Sequence, residues 1–165
     1  MKKIICVMLA LLCMLSALCG CRSREAQIEN GVKIYYVRKD EGGKKSIEYE
    51  ERAITSTDPT ERARDIFTAV KTPESEDAYM GVPEYVYIRS IKIDGDVLYI
   101  DFSNSFSVLS SSGVLIASTL VSMSMLDAGI AKYIKITCEG KDQPPFYDEY
   151  IHYGNLFAVE RMYME

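Results

Sequence analysis

Residues 90–103 read Ser90-Ile91-Lys92-Ile93-Asp94-Gly95-Asp96-Val97-Leu98-Tyr99-Ile100-Asp101-Phe102-Ser103, and this stretch decides the fold. Two runs rich in apolar and β-branched residues, Tyr85 to Ile93 and Val97 to Phe102, flank Asp94-Gly95. Glycine accepts the positive φ that a tight hairpin demands, so the chain can reverse there within two residues. Two such runs on either side of a tight turn read as paired strands. The stretch predicts an antiparallel hairpin whose apolar face needs a cover.

Working outward, Val32, Ile34 and Tyr36 alternate with Lys33, Tyr35 and Val37 as a strand does. A polar turn with two glycines, Lys39 to Lys45, leads into a second strand from Ile47 to Ile54, so this pair also reads as a hairpin. Asp58-Pro59-Thr60-Glu61 starts a helix: Asp58 can cap, Pro59 has its φ preset, and Glu61 completes a capping box. Ala63, Ile66, Phe67 and Val70 form its apolar stripe, and Thr72-Pro73 stops it. Glu74 to Pro83 reads as a loop, and the serine-rich run Ser103 to Ser112 as irregular chain ending in a cap. Val114 to Leu126 carries no charge, yet Ser118, Thr119, Ser122 and Ser124 punctuate it, which predicts a buried core helix rather than a membrane span. Tyr133 to Glu139 alternates again, with Ile134, Ile136 and Cys138 on one face; Gly140 to Tyr147 is a turn, and the aromatic tail to Glu165 adds a short strand or covers an edge. The order is ββ-α-ββ-α-β. It predicts a single α+β domain, a mostly antiparallel sheet with two helices packed on one face.

The amino terminus has a different character. Lys2 and Lys3 precede an uninterrupted apolar run, Ile4 to Leu18, the length of a secretory signal and short for a membrane span. It ends in Leu18-Cys19-Gly20-Cys21, which resembles a lipobox, with small residues before a cysteine that becomes acylated and then amino-terminal. The expected organisation is a signal peptide over 1–20, a lipidated Cys21 with a polar tether over 21–30, and one domain over 31–165. Two acyl chains of a diacylglycerol suffice for stable anchoring, so the expected location is the extracytoplasmic face of the cell membrane, with membrane lipid as partner through Cys21. Cys6, Cys13 and Cys19 leave with the signal, so Cys138 is the one thiol left in the domain and no internal disulfide is available. Without Lys2 and Lys3, seventeen basic residues face twenty-four acidic ones, a balance of −7. That sign argues against nucleic acid or anionic lipid as a partner of the domain, since both need Lys/Arg patches to neutralise phosphates.

Val32-Lys33-Ile34-Tyr35-Tyr36-Val37, the segment Ala63 to Pro73 around Ile66-Phe67 and Lys71-Thr72-Pro73, the central 90–103 stretch, Ser111-Ser112-Gly113 and the strand within Ile130 to Gly140 together resemble the GerMN domain of sporulation and spore-germination lipoproteins. The resemblance covers most of residues 31–140. It implies a lipid-anchored envelope protein, an α+β domain related in shape to ring-building modules of secretion systems, and no known catalytic chemistry.

The residues themselves point the same way. His152 is the single histidine, so a histidine-based metal cluster cannot form, and no nucleophile motif lies beside it. Cys138 falls on an apolar strand face, where it reads as a small hydrophobe. Asp94 and Asp96 bracket a turn glycine, Asp101 is a strand away, and no glutamate stands at the twelfth position of a calcium loop. No glycine loop cradles phosphate. The expectation is therefore no catalytic residue, no metal and no cofactor. The twelve tyrosines, with no tryptophan, suit contact with protein or glycan. The expected role is a non-catalytic assembly or protein-interaction module, by self-association or with a protein partner, in sporulation or germination. The rival is a ligand-binding or enzymatic domain acting on cell-wall material. A deep pocket with convergent carboxylates would favour the rival; exposed sheet edges and a flat apolar patch would favour assembly.

Overall fold

A computed structural model describes residue 28 and residues 30–143 and 149–156. Cys21, the 1–20 segment, most of the tether and the last nine residues of the tail lie outside the described residues. The elements run β1 (Gly31–Lys39), β2 (Lys45–Ala53), α1 (Pro59–Lys71), β3 (Ala78–Met80), β4 (Ile88–Asp94), β5 (Val97–Phe102), a 3-10 turn (Asn104–Phe106), α2 (Ser111–Asp127), β6 (Tyr133–Cys138) and β7 (Lys141–Asp142). The α+β class and the ββ-α-ββ-α-β order follow the sequence, with β3 and β7 as short additions.

The strands divide into two sheets rather than one, ordered β2-β1-β3 and β4-β5-β6-β7. All pairings are antiparallel except β5 with β6, which run parallel in the register Val97 to Tyr133 through Phe102 to Cys138. The intervening α2 returns the chain to the same end of the sheet, and only a parallel pairing can follow such a crossover. The helices do more than cover one face. They pack on each other and both touch β1, while α1 also reaches β4 and α2 reaches β6. The helix pair thus joins two sheets through one continuous core, in which Phe102 stacks on Phe106 at 4.4 Å between centroids and tilts against Phe67 at 5.6 Å.

Helix α1 starts as its sequence dictates. Asp58 Oδ1 accepts from the amides of Thr60 (3.0 Å) and Glu61 (2.9 Å), satisfying two donors that the first turn leaves orphaned. Glu61 forms an ion pair with Arg64 at 4.0 Å. The apolar stripe Ala63, Ile66, Phe67 and Val70 is buried, joined by Ala69. Ser110 caps α2 by accepting from the Gly113 amide at 3.1 Å, and α2 is buried over most of its circumference. Two of its hydroxyls bond the preceding turn: Thr119 donates to the Leu115 carbonyl (2.8 Å) and Ser124 to the Leu120 carbonyl (2.9 Å), while Ser124 Oγ also accepts from the Tyr35 amide of β1 (3.1 Å). No helix among the described residues is long and apolar enough to cross a membrane.

Two segments depart from the sequence reading. The loop expected over Glu74 to Pro83 contains β3, which pairs with β1 where that strand bulges between Val37 and Arg38. It leaves past α1 through Gly81, where a Cβ would stand 2.5 Å from the Val70 carbonyl oxygen, so only glycine fits. The strand expected from Tyr85 begins at Ile88 instead, because Lys71 Nζ takes the carbonyls of Glu84 (2.5 Å) and Val86 (3.0 Å) and holds 84–86 as a turn.

The central hairpin closes over Gly95 and Asp96, with Gly95 at φ +57° and Asp94 paired with Val97. Beyond β7, the tail covers the far edge of the second sheet: Ile151 bridges Ile134 through amide–carbonyl bonds of 2.9 and 2.7 Å.

Candidate functional site

A sheet edge whose main-chain groups lack a partner is the first place to look for an interface. On one side of the second sheet, β7 and Ile151 occupy the edge of β6; on the other, β4 has no strand beyond it among the described residues. Because the hairpin closes on Asp94 and Val97 over a two-residue loop, that pair is hydrogen-bonded and alternation makes Lys92–Tyr99 the next such pair. The amides and carbonyls of Ile91 and Ile93 therefore face outward along the free edge. The first sheet has its long free edge at β2, where Glu48, Glu50 and Glu51 give an acidic strand that repels a copy of itself. Glu50 turns back to accept from the amides of Glu74 and Ser75 (2.7 Å to Ser75), and Arg52 spans to Glu74 at 2.9 Å.

Beside the first residue of β4 lies a groove of about 550 Å³ between α1 and the 84–88 segment. Arg64, Thr68 and Lys71 line it from one face of α1, Phe67 and Ile88 lie along its apolar part, and Glu84 and Tyr87 form the opposite lip. The Lys71 ammonium sits 4.6 Å from the Tyr87 ring centroid and 5.6 Å from that of Phe67, a cation held over aromatic faces. Tyr87, on the lip of the groove, is 60% exposed, the aromatic surface that interfaces favour.

At the same end of β4, Asp101 ties the sheet together. Its Oδ1 accepts from Thr137 Oγ1 (2.7 Å) and the Gly140 amide (2.8 Å), and its Oδ2 from Arg89 (3.1 Å). Glu139 adopts φ +52° and Gly140 φ +74° in the turn into β7, a conformation that costs a non-glycine residue. Its carboxylate offsets the cost by pairing with Arg89 (3.1 Å) and accepting from the Asn104 amide (3.0 Å).

The other residues weighed for chemistry are apart from one another. Asp94 accepts from Lys92 at 2.8 Å, which holds its carboxyl below the usual range, and Asp96 accepts from Lys132 at 2.8 Å. Each of these two aspartates thus has its own cation. Cys138 is buried, its Sγ donating to the Ser103 carbonyl at 3.2 Å, and burial pushes its thiol pKa up. His152 Nδ1 accepts from the Gly154 amide at 3.0 Å in the turn into residues 153–156, and its ring stands edge-on to Tyr133. Among the described residues no three His, Cys, Asp or Glu side chains gather as metal ligands would. The serine-rich loop is spent on its own shape: Ser107 Oγ bonds the Asn104 carbonyl, Ser103 and Ser105 bond each other, and Ser110 caps α2.

Two features escaped the sequence reading. The groove is foreshadowed by Arg64, Thr68 and Lys71, spaced four and three along α1 and hence on one face, a polar stripe beside the apolar one. Asp127, at the end of α2, accepts from Tyr35 (2.6 Å) and from Tyr153 and lies 3.6 Å from Lys33. No local pattern marks that meeting of three distant segments, α2, β1 and the tail.

Comparison with known proteins agrees with this architecture. The family profile described as Germane, sporulation and spore germination, matches residues 33–144. The fold is similar to the tandem GerMN domains of the sporulation protein GerM from Bacillus subtilis, with a TM-score of 0.53 and 19% identity over 72% of this chain. The chain spans 43% of that tandem structure, less than half. The first GerMN domain of the same Bacillus subtilis protein aligns with a TM-score of 0.53 and 14% identity, covering 73% of this chain and 93% of the other. Among curated proteins none matches the sequence.

Proposed function

Since the chain belongs to the Germane family of sporulation and spore germination domains, we propose that it is a non-catalytic interaction module of the cell envelope, tethered through Cys21 to the extracytoplasmic face of the membrane and acting in sporulation or germination. One observation carries the interaction reading: the free β4 edge, with the outward main chain of Ile91 and Ile93, leads at Ile88 to a groove with the exposed Tyr87 on its lip. The groove contains one carboxylate, Glu84, rather than a convergent pair, which speaks against a hydrolytic role on cell-wall material. The tether reading is supported by Lys2, Lys3, the apolar run Ile4 to Leu18 and the Leu18-Cys19-Gly20-Cys21 sequence.

Two experiments test the two halves. Cys21→Ala abolishes incorporation of a fatty-acid probe and releases or stalls the protein; undiminished labelling refutes the anchor. Cross-linking in intact cells, followed by purification through a carboxy-terminal tag, yields a reproducible protein partner or a ladder of the chain itself. A monomer without companions refutes the interaction reading and moves the assignment to a small cell-wall ligand.

A further inference from the structure

Resting on that reading, the geometry points to the occupant of the groove: we infer that β4 and α1 form a docking site for an extended acidic peptide segment of a partner protein. The segment adds as a strand to β4 and places a glutamate or aspartate side chain between Lys71 and Arg64.

Three observations meet at one place. The first is the unpaired edge. Strand addition takes its affinity from main-chain hydrogen bonds and its specificity from pockets for alternate side chains. Ile91 and Ile93 turn their amides and carbonyls outward while their side chains stay partly buried against the core, so an incoming strand meets donors and acceptors without displacing the fold. The second is the groove itself, open next to Ile88, at the start of the same strand. A strand laid along β4 carries its side chains to that end, where a helix face and a strand edge bound one cleft.

The third is charge. The protein carries a net −5, yet two cations line the groove against the single carboxylate of Glu84. Lys71 is held by the carbonyls of Glu84 and Val86 and by two ring faces, with no carboxylate in ion-pair contact among the described residues. Arg64 meets Glu61 only at 4.0 Å, with both side chains largely exposed, a pairing worth little. A carboxylate entering between them gains charge-assisted hydrogen bonds that neither cation now makes with an anion. Along the other long edge, β2, Glu48 and Glu51 repel the same segment, while Glu50 is turned back onto the Glu74 and Ser75 amides. The site therefore selects for acidic strands at β4 and against them at β2.

The test uses the full lipid-bearing chain in detergent micelles. The probes are two blocked, fluorescein-labelled heptapeptides of alternating threonine and valine, one with a central glutamate and one with a central lysine. Fluorescence anisotropy is expected to give a Kd for the glutamate peptide about tenfold lower than for the lysine peptide, a preference that shrinks as salt rises. Amide exchange read by NMR slows at Ile91 on binding, and no slowing occurs along β2. Arg64→Gln, on the exposed rim, reduces the preference to about threefold or less with the thermal midpoint unchanged; Lys71→Gln does the same provided its midpoint is within the wild-type range. Equal affinity for the two peptides, no binding at millimolar peptide, or protection that maps to β2 overturns the assignment. If the peptides fail while partners still cross-link in cells, the acidic-strand assignment falls and the interaction reading stands; if cross-links also vanish, both fall.

Discussion

Two buried serines on α2, two residues apart, should respond to the same substitution with opposite signs. Ser124 Oγ accepts from the Tyr35 amide at 3.1 Å and donates to the Leu120 carbonyl at 2.9 Å, so it fastens α2 to β1. Ser122 is equally buried, and its hydroxyl has no hydrogen-bond partner among the described residues. Ser124→Ala orphans the Tyr35 amide, a cost of about 1–2 kcal/mol. The better helix propensity of alanine returns about 0.5 kcal/mol, leaving a net loss near 1 kcal/mol. Ser122→Ala removes an unpaired buried hydroxyl, a gain of about 1–2 kcal/mol. The same propensity term adds to it, and the small void left by one oxygen takes about 0.5 kcal/mol back. The two variants therefore separate by roughly 2–3 kcal/mol, or on the order of 10 °C in thermal midpoint for a domain of this size. Urea unfolding followed by circular dichroism reads the difference directly, with unchanged m-values confirming that both variants report on the native state. If Ser122→Ala destabilises by as much as Ser124→Ala, the account of hydroxyl partners on this helix is wrong.

Burial, and then the Asp127 carboxylate, hold the Tyr35 and Tyr153 hydroxyls protonated well past the usual tyrosine range. A pKa raised on folding gives stability that is complete below the unfolded value, about pH 10, and is lost as pH climbs toward the folded value. Tyrosinate absorbance should show these two rings titrating late, and Asp127→Asn should advance them; simultaneous titration of all tyrosines in the folded protein would refute the cluster. Asp101→Ala strands the Thr137 hydroxyl, the Gly140 amide and one partner of Arg89, and should cost about 2 kcal/mol. Hydrogen exchange in that variant should rise at the Ile88 end of β4 while the Gly95 end keeps its protection; a uniform rise along the strand would contradict the placement of Asp101 as a local tie.

What the sequence made legible was local. Asp94-Gly95, Asp58-Pro59 and the uncharged 114–126 run each carry their instruction within a few residues: a turn that needs positive φ, a cap with a preset φ, a helix with no charge to solvate. The division into two sheets was not legible, because strand alternation says which face is buried and not which strand lies alongside. The same holds for β3, three residues long and stabilised by pairing to the bulge in β1 rather than by any periodicity of its own. Tyr85 to Tyr87 carry strand-forming residues, but a lysine fourteen residues before Tyr85 takes the neighbouring carbonyls and wins. Of the candidate site, the hairpin that supplies β4 was read correctly; its free edge and the groove depend on which strands end up beside it.

The parallel pairing of β5 with β6 has a kinetic consequence. The β4–β5 and β6–β7 hairpins each close over two residues, a local event on the microsecond scale. The β5–β6 ladder joins residues 36 apart, from Val97–Tyr133 to Phe102–Cys138, and must await the docking of α2. Until then the inner edges of both hairpins, with Leu98, Ile100, Ile134 and Ile136, stand open to other chains. Long-range pairings of this kind set the pace of folding, so a substitution that slows α2 lengthens the interval in which the unfinished sheet can pair with a neighbour and aggregate. Yield on refolding at high protein concentration should therefore depend on the core of α2 more steeply than equilibrium stability does.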